Sequence, residues 1–263
     1  MAVAIYGSTT ASWNSGSSHS YTHDSGSGDG RLLVVMVSNN NTWAQTVTAI
    51  TYGGVSLTRQ IRQVANSPTS QSMVDIWYLI APASGSNSVV VSHAATYPYS
   101  TYSIAVTLTG CDQSTAFRDS DSGTGTGSLT LDAGTDDVLL SAYSSGESTG
   151  WGGREADETE FYDTSGNSYT YINASASSEV TTGTNSQGSY SSRAAVTIWP
   201  PQNLSVDLSG SPILVSSSLS VGTIDDGNIS ITVGKISTLS ATISVGAVQV
   251  QQPILGEMFI GVN

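Results

Sequence analysis

Apolar and polar residues alternate in short stretches along this chain. In residues 102–109, Tyr102, Ile104, Val106 and Leu108 fall on one side of an extended backbone, with Ser103, Ala105, Thr107 and Thr109 on the other. That period of two predicts a strand with one buried face. Comparable β-prone runs cover residues 32–37, 47–52, 73–80, 88–92, 138–143, 168–176 and 193–199. Clusters of Gly, Ser, Asn and Pro separate them, and the 3.6-residue period of an amphipathic helix occurs nowhere. The pattern predicts an all-β fold, a sandwich or jelly roll, with a small β-repeat domain behind it.

The strands echo one another. Leu32-Leu33-Val34-Val35 resembles Val138-Leu139-Leu140, and Ile104-Ala105-Val106-Thr107-Leu108 resembles Ala194-Ala195-Val196-Thr197-Ile198. Between these anchors stand Tyr52-Gly53-Gly54 and Trp151-Gly152-Gly153. Two Greek-key halves forming one sandwich produce such an echo; chance similarity among Val- and Thr-rich strands is the other explanation.

A stricter repeat follows Pro200-Pro201, two adjacent prolines that cannot donate to a ladder and so mark a boundary. Ser220-Val221-Gly222, Thr232-Val233-Gly234 and Ser244-Val245-Gly246 recur every 12 residues, and a divergent copy begins near Asn203. Leu219, Ile231 and Ile243 precede the phrase, and Ile224, Ile236 and Val248 follow it. One short strand and one Gly bend cannot bury their own apolar face, so such units must stack on each other or on other chains. The expected organisation is a sandwich domain over residues 1–201 and a repeat domain over 202–263. The six apolar residues are the expected assembly contacts, for docking or for a homotrimer.

Composition narrows the partners. Seven basic residues against 20 acidic ones give a formal charge of -13. Clustered Lys and Arg are needed to displace counterions from nucleic acid, so no nucleic-acid partner is expected. The same balance disfavours anionic membranes, and no run approaches the ~20 apolar residues of a membrane-spanning helix. A single cysteine, Cys111, permits no internal disulfide and reads as a buried structural thiol. The first residues lack the basic region and long apolar core of a signal peptide.

Residues 17 to about 118 carry a longer string: Arg31-Leu32-Leu33-Val34-Val35, Ile50-Thr51-Tyr52-Gly53-Gly54-Val55-Ser56-Leu57-Thr58-Arg59, Ile76-Trp77-Tyr78-Leu79-Ile80-Ala81-Pro82-Ala83-Ser84-Gly85 and Leu108-Thr109-Gly110-Cys111-Asp112-Gln113-Ser114-Thr115-Ala116-Phe117. It resembles the concanavalin-like β-sandwich modules of tailed-phage virion proteins and bacterial surface proteins. The resemblance covers under half of the chain, implies a jelly-roll sandwich with a surface or binding role, and transfers no catalytic residue.

Candidate chemistry is sparse. Glu155, Asp157 and Glu160 have the Glu-x-Asp-x-x-Glu spacing of jelly-roll glycosidases, where paired carboxylates flank the scissile bond. Ala156, Glu158 and Thr159 between them offer no apolar anchor to raise an acid's pKa, so a solvated acidic loop is the expectation. Asp119 and Asp121 supply hard oxygens suited to calcium but lack a later acidic ligand, and Asp225-Asp226-Gly227-Asn228 reads as a turn. His19, His23 and His93 are not expected to converge on a metal. The Gly-rich tract from Gly123 to Gly127 lacks the Lys and helix of a phosphate loop. Trp43, Tyr97, Tyr99 and Trp151 fall in expected loops, where exposed rings can stack on sugars or else plug the ends of the sandwich.

These readings lead to a non-enzymatic structural protein of a virus particle surface: a capsid decoration, head-fibre or tail-associated protein made in the host cytoplasm. It needs no cofactor or metal. Its partners are its own copies, other virion proteins and a host-surface glycan. A carbohydrate-binding or adhesin module of a bacterial surface is the alternative, and a jelly-roll glycosidase is a third.

Overall fold

A computed structural model describes residues 2–13, 16–41, 46–66, 71–97, 101–145, 157–164, 166–175, 179–182, 190–201, 204–208 and 229–233; for 40–41, 95–97, 204–208 and 229–233 the backbone alone is described. The protein is all-β, with no helix among the described residues. It divides into two compact units, residues 1–200 and 201–263.

Nine strands form the first half of the larger unit: β1 (Ala4–Trp13), β2 (Gly16–Asp24), β3 (Leu32–Asn41), β4 (Val47–Tyr52), β5 (Val55–Ser56), β6 (Thr58–Asn66), β7 (Gln71–Ile80), β8 (Ser86–Tyr97) and β9 (Thr101–Thr109). They make a five-stranded sheet in the order β1-β9-β3-β7-β6 and a four-stranded sheet in the order β2-β8-β4-β5. The second half has β10 (Phe117–Thr124), β11 (Thr130–Asp132), β12 (Val138–Ser145), β13 (Thr159–Thr164), β14 (Asn167–Asn173), β15 (Glu179–Thr181) and β16 (Ser191–Ile198). Its sheets run β10-β16-β12-β14-β13 and β11-β15. Strand for strand, the second five-stranded sheet repeats the order of the first.

The irregularities repeat as well. The register of β1 on β9 slips between Ile5 and Gly7, opposite Leu108 and Thr107; that of β10 on β16 slips between Phe117 and Asp119, opposite Ile198 and Thr197. A second slip falls between Arg59 and Ile61 on β6 and between Glu160 and Tyr162 on β13. Bulges are positional features of a fold, so two coincident ones mark the halves as copies of one design.

The halves meet in one sandwich of their five-stranded sheets, as the echo suggested, and each adds a smaller sheet behind its own. Each has its own pair of sheets, and the two five-stranded sheets pack face to face. Hydrophobicity is the cause. Leu32, Leu33, Val34, Val35, Met36 and Val37 are all fully buried, and a strand apolar on both sides needs cover on both sides. Leu32, Val34, Met36, Ile104, Val106 and Leu108 meet Val138, Leu140, Ala142, Ala194, Val196 and Ile198 of the other half. Leu33, Val35, Val37 and Ala105 face Val47, Ile50, Tyr52, Val89 and Val91 of the four-stranded sheet. Leu139, Ile172 and Ala195 are covered by Leu129, Leu131 and Val180. For the same reason β9 is not buried on one face alone: Ser103, Ala105 and Thr107 are as enclosed as Ile104 and Val106.

Side chains crossing the central interface fix its geometry. Ser72 of β7 and Ser192 of β16 share a 2.9 Å hydrogen bond, Ser122 of β10 donates to Gln63 of β6 at 3.0 Å, and Ser144 of β12 donates to the carbonyl of Asn39 on β3 at 2.7 Å. Central strand therefore lies on central strand, with the flanks exchanged and late β3 beside late β12. This is an approximate twofold axis running along the strands. Both halves consequently point the same way.

At one pole of the larger unit lie the ends of β1, β3, β6 and β8 and the starts of β2, β4, β7 and β9. The opposite pole is tied by backbone bonds: Val3 N to Asp136 O at 3.0 Å, Cys111 N to Gly30 O at 2.9 Å, and Asp112 N to Trp199 O at 3.1 Å. The chain leaves the unit at this tied pole, after Trp199. In the smaller unit β17 (Leu204–Leu208) and β18 (Ile229–Val233) pair in parallel, Val206 opposite Ile231. Parallel pairing is what stacked repeats produce and what a hairpin cannot.

Candidate binding surfaces

Trp43, Tyr99 and Trp151 lie outside the described residues. Tyr97 closes β8 opposite Gly16, with only its backbone described. Tyr52, which occupies in the first half the place of Trp151 in the aromatic–Gly–Gly phrase, is fully buried. Its hydroxyl lies 2.7 Å from the carbonyl of Gly85 and 3.1 Å from that of His23, an anchor inside the sandwich. Of the six assembly residues, Ile231 is on β18; Leu219, Ile224, Ile236, Ile243 and Val248 lie outside the described residues.

Glu155 also lies outside them. Asp157 and Glu160 are exposed, and the carboxylate that turns inward is Glu158, the one the spacing skips. It accepts hydrogen bonds from Ser141, at 3.2 Å, and from Thr170. Asp119 and Asp121 sit in β10, where backbone amides bond both oxygens of Asp119, from Ser120 and Asp132 at 2.8 and 2.9 Å, and Oδ1 of Asp121, from Ser122 at 2.7 Å. Asp119 thus ties β10 to β11. No metal-holding cluster of three or more His, Cys, Asp or Glu occurs among the described residues. Asp225 and Asp226 are outside them. Cys111 is buried, and burial, then the charge of Asp112, pushes its thiol up to about 12.

The histidines come together more than their spacing suggested. His19, Tyr21 and His23 share one face of β2, since residues four apart on a strand point the same way. His23 bonds Thr9 at 3.0 Å and Thr107 at 2.8 Å, and Tyr21 bonds Ser103 at 2.7 Å. Farther towards the loop pole His19 stacks on Trp13, and its ring centre lies 6.4 Å from that of His93 on β8. Neither ring nitrogen of His19 or His93 has a partner. Burial lowers His19 to about 3, helped by His93, and burial alone lowers His93 to about 4. Trp13 and the exposed Tyr190 are aromatics of this pole that loop-based reasoning passed over.

In the second half the place of Ser103 is taken by Arg193 on β16. It pairs in register with Gly123 of β10 and with Tyr143 of β12, and Tyr143 pairs with Ser168 of β14. Arg193 is buried, and its Nε and Nη1 have no partner. The hydroxyls of Tyr143 and Ser191 are 3.0 Å apart, and Ser168 Oγ is buried without a partner.

The architecture defines an all-β protein of two like halves stacked through their five-stranded sheets, followed in the chain by a repeat unit. No family model matches the chain, and neither does any curated protein or solved structure with which it was compared.

Proposed function

We propose that this is a non-enzymatic structural protein of a virus particle surface, a phage decoration, head-fibre or tail-associated protein. In this reading the sandwich unit is displayed and the repeats assemble or dock. The resemblance of residues 17 to about 118 to virion sandwich modules supports it, and one structural observation carries it. The Trp13 end of β1, the Asn66 end of β6 and the Thr101 start of β9 lie at the pole of the larger unit opposite Trp199, after which the chain exits. A module entered at one end and free to present the other suits display. The Tyr97 end of β8, with Trp13 and Tyr190, belongs to the presented pole, which favours a host-surface glycan as its target. It also keeps the bacterial carbohydrate-binding module as the second reading.

Light scattering on the full chain tests the assembly half of this proposal. Wild type is expected to form an oligomer, a trimer by analogy with fibres, and the double substitution Ile231→Asp with Ile243→Asp to release folded monomers. A wild type that is monomeric at micromolar concentration and binds no particle overturns it.

A further inference from the structure

We propose that Arg193 anchors a pocket for the carboxylate of an acidic saccharide, lying beneath the glycine-rich loop of residues 123–128. The inference goes beyond the particle-surface reading and does not depend on it.

The guanidinium is the first observation. Arg193 is 5% exposed, and only Nη2 has a partner, the carbonyl of Thr124 at a long 3.4 Å. The ion pairs among the described residues join Arg62 to Asp75 and Arg118 to Asp137, and neither includes Arg193. A guanidinium stays protonated when buried, so the site holds a standing positive charge that no ion pair within 4.0 Å neutralises. The fold has no need of that charge. At the matching position of the first half, Ser103 makes a neutral hydrogen bond with Tyr21.

The loop is the second. Residues 123–128 read Gly-Thr-Gly-Thr-Gly-Ser, the tract that lacks a following Lys. In space the cation comes from β16 instead. A Cβ on Gly123 would stand 3.2 Å from Arg193 Nη2, and one on the exposed Gly127 would stand 3.6 Å from Nη2 and 3.8 Å from Nη1. The guanidinium therefore lies one layer below the surface, under residues that have no side chain to block it. Glycine at these positions lets a ligand or backbone approach closely.

The third is what surrounds the charge. Ser168 Oγ is unpartnered and the Tyr143 and Ser191 hydroxyls lie on the same face; burial disfavours the charged guanidinium, and Tyr143 and then Asp121 partly offset this. A single cation among hydroxyls, beside a carboxylate, matches one negative charge on a hydroxyl-rich ligand. The second charge of phosphate or sulfate would find only Asp121.

The test is thermal unfolding of the full chain with glucuronate, N-acetylneuraminate, glucose, phosphate or sulfate. The sugar acids are expected to raise the midpoint by roughly 5 °C at a hundredfold excess over Kd, and the other three to leave it unchanged. Arg193→Met should melt about 3 °C above wild type, because a buried unpaired ion is gone, and should lose the response. Arg193→Lys keeps the charge without the fork and should bind at least tenfold more weakly; it decides the matter if the Met variant does not fold. A wild type unresponsive to both sugar acids overturns the pocket. So does a response surviving in both variants, or a Met variant that melts below wild type. A response to phosphate or sulfate alone overturns the carboxylate assignment.

Discussion

Three histidines face the space between the two sheets of the first half, and burial holds each below its ordinary value: His19 to about 3, His23 and His93 to about 4. In the unfolded chain each binds a proton near pH 6.5. Between pH 6.5 and about 4 the unfolded state therefore carries more protons, and stability must fall as pH falls. Trp13 and Tyr21 are the rings packed beside His19 and His93, and neither offers a charge to compensate. Urea midpoints should drop between pH 7.5 and pH 5, and His93→Phe should make that drop smaller. A midpoint independent of pH over this range would contradict the burial of these rings. At this scale the sequence was least informative. His93 is 70 residues from His23, and only the pairing of β8 with β2 brings them onto one wall. Arg193 reads in sequence as the first residue of a strand, and nothing local separates it from a solvated Arg.

Strands were legible where apolar residues recur, on one face as in β4 or on both as in β3. Residues 47–52 match β4, and residues 32–37 form the core of β3. The strands β1, β2, β10 and β13 escaped because Ser, Thr, Gly and Asp fill them, and a half-exposed edge needs little apolar area to be held by its ladder. One polar contact does the holding on β6. Arg62 pairs with the fully buried Asp75 of β7, Nε to Oδ1 at 2.6 Å and Nη2 to Oδ2 at 2.5 Å, and also donates to the carbonyl of Val47 at 2.6 Å. It joins the large sheet to the start of β4. Arg62→Met strands a buried carboxylate and should cost about 3–5 kcal/mol in urea unfolding. Adding Asp75→Leu should recover most of that, because the stranded charge, more than the lost contact, sets the cost. Equal instability of the single and double variants would mean that the contact to Val47 dominates.

For the whole molecule, the repetition of strands and the sandwich they share were visible in the anchors Leu32-Leu33-Val34-Val35 and Val138-Leu139-Leu140, but the smaller sheets outside it were not. Period-two alternation reports that a face is buried, not which sheet buries it, so a two-layer sandwich and one with further sheets outside it look alike in sequence. The continuous run Leu32–Val37 held the missing clue. The stacked halves also make the chain a dimer whose subunits happen to be covalently joined. Their tether, residues 110–116, is exposed at Ser114 and Thr115, and the contacts that hold the halves together lie elsewhere, across the central sheets. Severing the Ser114–Thr115 bond should thus leave an intact noncovalent complex. Fragments 1–114 and 115–263 expressed together should copurify, while the first alone should pair with itself or precipitate, having a bare apolar sheet to hide. If each fragment proves a soluble monomer by itself, the central interface is weaker than its burial implies. Reconstitution from two pieces would in turn let each half be altered, labelled or exchanged independently, as the subunits of a heterodimer can be.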